Sequence, residues 1–258
     1  MNVEETGKRS TIIQPEYRPR AAVQLYPAAA FPTINPAPWL HAHFAVGGWS
    51  PLQRLSGMLT AHMSQIAGHS GFGWHPHRGL EIYTWMLEGQ LYHEDTTGGQ
   101  GVIHTGDLQR MFSGSYIEHK ELNEWPEQAR VIQIWFMADP QYRDVAPHYQ
   151  QISGEDLPRR ALGDGTVTSL IGDGSAMEQH MDGRLSALHI PAGGSSTLEP
   201  PRPDEDLFFY VTDGTGTVEE AALGIYDVIL ARPEAPALPL HATTDLHALA
   251  FYLPRFLN

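Results

Sequence analysis

The sequence contains no cysteine, so disulfide bonds, thiolate metal ligands, iron–sulfur clusters and cysteine nucleophiles are excluded. It also has no apolar run that approaches the ~18 residues of a membrane span, and the N-terminal MNVEETGKRS lacks a signal-peptide core. Basic residues are scarce, since 16 Lys and Arg stand against 30 Asp and Glu, a formal charge of −14. Because an anionic surface repels phosphate groups, we expect no direct nucleic-acid binding. We also expect no membrane association, a monomer and a cytoplasmic location.

Short apolar runs punctuated by glycine dominate the chain from about residue 57. No long stretch has the 3.6-residue periodicity of an amphipathic helix, and turn signals recur about every ten residues, as is typical of a β-sandwich or barrel. The runs with strand character include GMLTAHMSQI, LEIYTWMLEG, GQLYHED, GVIHTGDLQRMF and ARVIQIWFM, and then TVTSLIG, RLSALHI, DLFFYVTDG, YDVILA and HALAFYL. The sequence therefore predicts an all-β fold.

The two halves of the chain resemble each other, which predicts a tandem repeat of one jelly-roll-like barrel. IYTWMLEGQ (82–90) aligns with LFFYVTDGT (207–215), so that Glu88-Gly89 falls on Asp213-Gly214. The predicted organisation is an arm at 1–20, a first barrel at 21–139, a linker with about one helical turn at 140–164, and a second barrel at 165–258.

Two segments of the first half place histidines at the spacing of metal ligands. Side chains alternate between the faces of a strand, so His75 and His77 point the same way. The same alternation puts His119 and Glu121 on one face. If the two strands pair, three neutral imidazoles and one carboxylate meet around a single cation.

This donor set, three nitrogens and one oxygen without sulfur, suits Fe(II) and also Mn, Ni, Cu or Zn. Four protein ligands on an octahedral ion leave two positions for a substrate and dioxygen. An isolated HxH pair is more often structural, and we interpret His41 and His43 in that way. For His75 and His77, the later pair of potential ligands favours a metal site.

Several motifs occur in the order and spacing of the pirin family of cupins, which the chain closely resembles over roughly residues 57–138. They are HPHRGLE, YTWMLEGQLYHED, GDLQRMFSGSYIEH and the later IQIWF. The resemblance implies a bicupin in which the N-terminal barrel holds one metal, usually iron, and the C-terminal barrel holds none. It places the metal ligands on His75, His77, His119 and Glu121, the same four that strand alternation selects.

The carboxylate ligand has a second candidate, Glu81, which has the same strand parity as the histidines. In cupins generally the glutamate of HxHxxxE often binds metal, whereas pirins use the glutamate that follows the last histidine. We therefore favour Glu121 as ligand and catalytic base. Glu81 is then a neighbour of the ligands or an ion-pair partner of Arg78.

The resemblance implies two functions from different classes. Several pirins resemble quercetin 2,3-dioxygenases, which predicts a metal-dependent dioxygenase that acts with dioxygen on a flavonol or another small hydroxy-ketone. Other pirins act in transcriptional co-regulation or control partner enzymes, which predicts a non-catalytic iron redox sensor with a protein partner. A third class is an oxygen-independent isomerase that uses the metal as a Lewis acid.

Some residues depart from the family pattern or lie outside the predicted site. Ser115-Tyr116 replaces Arg-Gly before the third histidine, and Trp74 replaces a small acidic residue, which leaves the ligands intact but affects substrate identity. His93-Glu94-Asp95 has the composition of a second metal cluster, but it follows a glycine turn, so we expect it to make surface hydrogen bonds. We expect the second barrel to be metal-free, since in its half only His241 aligns near a ligand position.

Overall fold

The structure is a computed structural model that describes residues 21–257, so the predicted arm at 1–20 lies outside the described residues. Within 21–257 the chain forms 22 strands and two 3-10 helices, Ala28–Ala30 and Pro140–Tyr142. The all-β prediction is confirmed. No helix in this range is long and apolar enough to cross a membrane.

The strands that precede residue 140 are β1 (Val23–Tyr26), β2 (Thr33–Ala37), β3 (Leu40–Val46), β4 (Met58–Ile66), β5 (Ser70–His77), β6 (Leu80–Glu88), β7 (Gln90–Asp95), β8 (Gln100–His104), β9 (Leu108–Phe112), β10 (Ile117–Asn123) and β11 (Ala129–Met137). The later strands are β12 (His148–Ile152), β13 (Arg159–Leu162), β14 (Gly165–Ile171), β15 (Arg184–Ile190), β16 (Ser195–Leu198), β17 (Glu205–Asp213), β18 (Thr215–Val218), β19 (Ala221–Gly224), β20 (Val228–Ala231), β21 (Leu238–Ala242) and β22 (Leu246–Pro254).

Each half of the fold combines a seven-stranded sheet with a four-stranded sheet. In the first half the orders are β12-β9-β6-β11-β4-β3-β2 and β5-β10-β7-β8. In the second half they are β1-β20-β17-β22-β15-β14-β13 and β16-β21-β18-β19. The two orders match strand for strand, so the repeat expected from the sequence is present and the bicupin jelly-roll class is confirmed. The two strands that the sequence aligned, β6 and β17, hold the same place in their sheets.

Two strands are exchanged between the halves, which the sequence did not predict. β1 pairs with β20 of the second half, and β12 pairs with β9 of the first half. Residues 140–164, interpreted as a linker with one helical turn, contain β12 and β13 in addition to the short helix. That interpretation is wrong in its local structure. β12 pairs with the distant β9, which leaves no local signal, whereas β13 forms a hairpin with the adjacent β14. The boundaries of the two barrels stay predictions.

The largest apolar core lies between the two seven-stranded sheets and contains residues from both halves. Tyr83 and Phe136 of the first half and Phe208, Tyr210 and Phe251 of the second are fully buried in it. Full burial of a large apolar side chain contributes about 1.5–3 kcal/mol. This shared core therefore fixes the two halves against each other, while each barrel keeps an interior of its own.

Candidate metal centre

Strand β10 supplies the centre of the site and shows the predicted alternation. Ile117, His119, Glu121 and Asn123 are buried, whereas the residues between them are partly exposed. β10 lies between β5 and β7, so its inward side chains have neighbours on both sides. His119 is opposite His75 on β5, and a register shift follows it before Glu121. The irregularity places Glu121 opposite Phe72 instead of Gly73.

Three imidazoles converge at this point. Ligand nitrogens of His75, His77 and His119 lie within 4.8 Å of one another. The ring centroid of His119 is 4.2 Å from that of His75 and 5.0 Å from that of His77. Because β5 and β10 are adjacent and antiparallel, strand pleating brings together residues that are more than 40 positions apart in the chain.

The donor atoms of this cluster suit a divalent metal. Nε2 of His77 and both ring nitrogens of His119 are buried without a hydrogen-bond partner among the described residues. Burial, with the neighbouring His75, lowers the pKa of His77 to about 4, and it lowers the pKa of His119 to about 2. Both rings are therefore neutral at pH 7, the state in which imidazole binds a metal. Buried nitrogens without partners are costly, and a bound cation would satisfy Nε2 of His77 and one ring nitrogen of His119.

The carboxylate of Glu121 lies beside this cluster. Its ligand oxygen falls within 4.8 Å of His119 and of His93, and the three form a second potential metal-binding group. Nε2 of Gln133 donates hydrogen bonds of 2.7 and 2.8 Å to the two carboxylate oxygens. The four predicted ligands thus fall into two groups that share His119: His75 and His77 belong to the first, and Glu121 belongs to the second. That Glu121 is the fourth ligand of the first group stays a prediction.

His93 is buried, so the expectation of a surface role for it is wrong. Its side chain has no exposure, Nε2 is 3.1 Å from Oδ2 of Asp95, and Nδ1 has no partner among the described residues. Its ring stacks on Tyr149 of β12 at 4.9 Å. The parity of His93 and Asp95 on one strand was a usable signal, but the burial depends on β12, which was not predicted as a strand.

Glu81 points away from the three imidazoles. It has the same parity as Tyr83, which lies in the core between the halves. Its Oε1 accepts a 2.6 Å hydrogen bond from Nε of Arg110, and the backbone N–H of His180 donates to both carboxylate oxygens. The proposed partner Arg78 is incorrect, since its guanidinium lies over the ring of Tyr116 instead.

A cavity of about 490 Å³ adjoins the site. His75 and Glu121 open into it together with Gln133 and Trp135. The remaining walls are mainly apolar and come from β2, β3, β4 and β5: Ile34, Pro36, Leu40, Ala42, Phe44, Leu59 and Phe72, with Thr60, His62 and Ser64 as polar exceptions. A mainly apolar cavity with a few convergent polar groups is the usual form of a small-molecule site.

Known proteins resemble this chain in sequence and in fold. The family model described as Pirin matches residues 50–136. The chain is 30% identical over 190 residues to the Escherichia coli O157:H7 protein named quercetin 2,3-dioxygenase, and the alignment covers 73% of this chain and 79% of the relative. The chain belongs to the pirin family. The family expected from the motifs is therefore confirmed.

Several other relatives match over less of their length. A pirin-like protein of Solanum lycopersicum is 30% identical over 172 residues, which is 66% of this chain and 59% of that protein. The chain spans 53–59% of the length of this and three further curated relatives. The chain also resembles the crystal structure of the bacterial pirin YhhW of Escherichia coli in complex with nickel(II). The superposition covers 91% of this chain and 100% of YhhW, with a TM-score of 0.75 and 24% sequence identity. It supports the bicupin fold.

Proposed function

We propose that this pirin-family chain is a mononuclear metal-dependent dioxygenase that acts on a flavonol or another small hydroxy-ketone. One observation carries the proposal: the candidate ligands His75 and Glu121 open into the same apolar cavity. A substrate in that cavity would lie beside the metal and beside a carboxylate. The quercetin dioxygenase name of the Escherichia coli relative supports the substrate class.

The residues that would hold the metal are His75, His77, His119 and Glu121. We propose Fe(II) as the ion, with Mn, Ni, Cu or Zn as alternatives that the same donor set accepts. When bound, such an ion supplies a positive charge that polarises an attached oxygen atom. His93 is the alternative to the β5 histidines if the metal lies in the group formed with His119 and Glu121.

In this proposal the side chains around the metal accept a proton, exclude water and bind the substrate. Glu121 accepts the proton of the substrate hydroxyl, and the two hydrogen bonds from Gln133 hold its carboxylate toward the cavity. Phe44 and Phe72 line the apolar wall and exclude water from the reacting centre. Nε1 of Trp135 is buried without a partner among the described residues, so its N–H is free to donate to a substrate oxygen.

Oxygen consumption tests the proposal. Protein loaded separately with Fe, Mn, Ni or Cu is mixed with quercetin under nitrogen, binding is followed by absorbance, and oxygen is then admitted. We expect stoichiometric uptake of dioxygen with quercetin loss for at least one metal. Metal and quercetin binding without oxygen uptake would overturn the dioxygenase and favour the redox sensor. Turnover that needs no oxygen would identify an isomerase.

Gln133→Leu is expected to weaken metal binding about 10- to 100-fold, because partners that orient a ligand typically have effects of this size. The substitution removes both hydrogen bonds to Glu121 while keeping a side chain of similar volume. Competition with a chelator measures the affinity. Gln109→Leu is the matched control, since Gln109 is also a buried strand glutamine but its Nε2 has no partner among the described residues. Equal affinities in the two variants would contradict the positioning role.

Trp135→Phe is expected to raise the KM for quercetin about 2- to 10-fold, the range of one hydrogen bond of ordinary strength. Phenylalanine keeps an aromatic wall but removes the indole N–H that has no protein partner. Steady-state kinetics with metal-loaded protein measure the change. Metal content should stay unchanged, so a loss of metal in this variant would show that Trp135 acts through His77, whose ring centroid is 5.1 Å away.

A further inference from the structure

The second barrel contains a cavity of about 390 Å³ at the place where the first barrel has its candidate metal cavity. The first cavity is lined from β11, β4, β3 and β2, and the second from the corresponding strands β22, β15, β14 and β13. The strand registers also correspond. Trp135 pairs with Thr60 in the first barrel, and Tyr252 pairs with Arg184 in the second. All four residues line their respective cavities.

The second cavity is lined by arginines, whereas the first is lined by histidines. Four of the sixteen basic residues of the chain line it, against two acidic residues, Asp173 and Glu199. The four are Arg159, Arg160, Arg184 and Arg202. Both potential metal-binding groups among residues 21–257 belong to the first barrel. Glu205 is outside the lining but pairs with Arg184 and Arg202, so four guanidinium groups stand against three carboxylates. In a chain with a formal charge of −14, this local excess of positive charge attracts an anion.

Arg184 is held in a fixed position at the centre of this lining. Its guanidinium lies 3.5 Å above the ring centroid of Tyr252 and makes ion pairs of 3.0 Å with Glu205 and 3.3 Å with Asp173. The side chain is only 17% exposed. The hydroxyl of Tyr252 donates to the backbone carbonyl of Glu199. This arrangement gives the cavity a rigid floor of an aromatic ring and a guanidinium plane.

Arg160 and Arg202 are exposed residues of the cavity lining with guanidinium N–H groups that are available to a ligand. The side chain of Arg160 makes no ion pair or hydrogen bond within residues 21–257. Arg202 is exposed, and its contacts with Asp173 at 3.8 Å and Glu205 at 3.6 Å are long for hydrogen bonds. The planar guanidinium group of arginine binds a carboxylate through two parallel hydrogen bonds. The inner walls combine apolar side chains with two buried serines, Ser169 and Ser186; the apolar residues are Leu162, Val167, Leu188, Leu198 and Ala250.

We propose that the second barrel binds a small aromatic carboxylate, with the carboxylate at Arg160 and Arg202 and the ring against the apolar wall beside Tyr252. The volume lies within the range of small-molecule sites. The proposal does not depend on metal binding or oxygenase activity in the first barrel. It makes the second half a ligand-binding unit that keeps the cupin cavity and replaces its metal chemistry with anion recognition.

Calorimetric titration with 4-hydroxybenzoate tests the proposal on the full chain. We expect saturable binding of one molecule per chain and at least a 10-fold loss of affinity for the uncharged 4-hydroxybenzamide, as expected for the loss of a charge-assisted hydrogen bond. Arg160→Gln combined with Arg202→Gln should weaken 4-hydroxybenzoate binding at least 10-fold. Both side chains are exposed, so the fold should tolerate the change.

Two controls locate the binding. Arg54→Gln removes an exposed arginine of the first half and should leave the affinity unchanged. His119→Ala disables the candidate metal centre and should also leave it unchanged. No saturable binding, equal affinity for the amide, or an affinity that survives loss of both arginines would each overturn the proposal. Loss of binding in His119→Ala would place the anion in the first barrel and overturn it as well.

Discussion

His119→Ala is expected to lose metal affinity by more than about 100-fold, because even residues that merely orient a ligand have effects of 10- to 100-fold. His119 is central to both potential metal-binding groups, one with His75 and His77 and one with His93 and Glu121. Whichever group holds the ion, this single imidazole belongs to it. Turnover of quercetin, where the metal-loaded wild type shows it, should fall to background.

Metal analysis after dialysis measures this effect directly. His104→Ala is the matched control, since His104 is an exposed histidine of the same barrel and its side chain is 63% exposed. The control should retain metal, and its circular dichroism should match that of His119→Ala. A His119→Ala protein that binds metal as tightly as the wild type would show that neither group is a metal site.

Strand alternation was sufficient to find the imidazole cluster. The positions of His75, His77 and His119 follow from the two-residue period of a strand and from the assumption that two strands pair. The burial pattern of β10 and the contact between β5 and β10 confirm both steps. These features are local or follow from one pairing, which is why a single sequence could predict them.

The features that were missed depend on contacts between distant parts of the chain. His93 is buried because Tyr149, from a strand that was interpreted as linker, stacks on its ring. Glu81 is paired with Arg110, 29 positions away, and not with the nearby Arg78. Parity cannot separate the two faces of a strand such as β6, because both faces are buried, one in a barrel and one between the halves.

The repeat predicted a second barrel but not the chemistry of the cavity inside it. Corresponding strands with corresponding registers preserve the space inside each barrel. The side chains that fill it are free to differ, as Thr60 and Arg184 do at equivalent positions. In the second barrel this freedom yields an arginine-lined cavity, for which the sequence predicted only that no metal binds.

Glu81→Leu is expected to lower the free energy of unfolding by about 3–5 kcal/mol, the usual cost of leaving one partner of a buried ion pair uncompensated. The side chains of Glu81 and Arg110 are both fully buried, and their hydrogen bond is 2.6 Å long. The double variant with Arg110→Met should recover most of the loss, since an apolar pair of similar volume is tolerated in such places. Urea denaturation measures both effects.

The controls of this experiment also settle which glutamate serves the metal. Glu94→Gln removes the partner of Lys120 in an ion pair that solvent reaches, and it should change stability much less. Folded Glu81→Leu should bind metal with the affinity of the wild type, because its carboxylate contacts Arg110 and the backbone of His180 and not the imidazoles. A folded Glu81→Leu protein without metal would instead identify Glu81 as the carboxylate ligand and remove that role from Glu121.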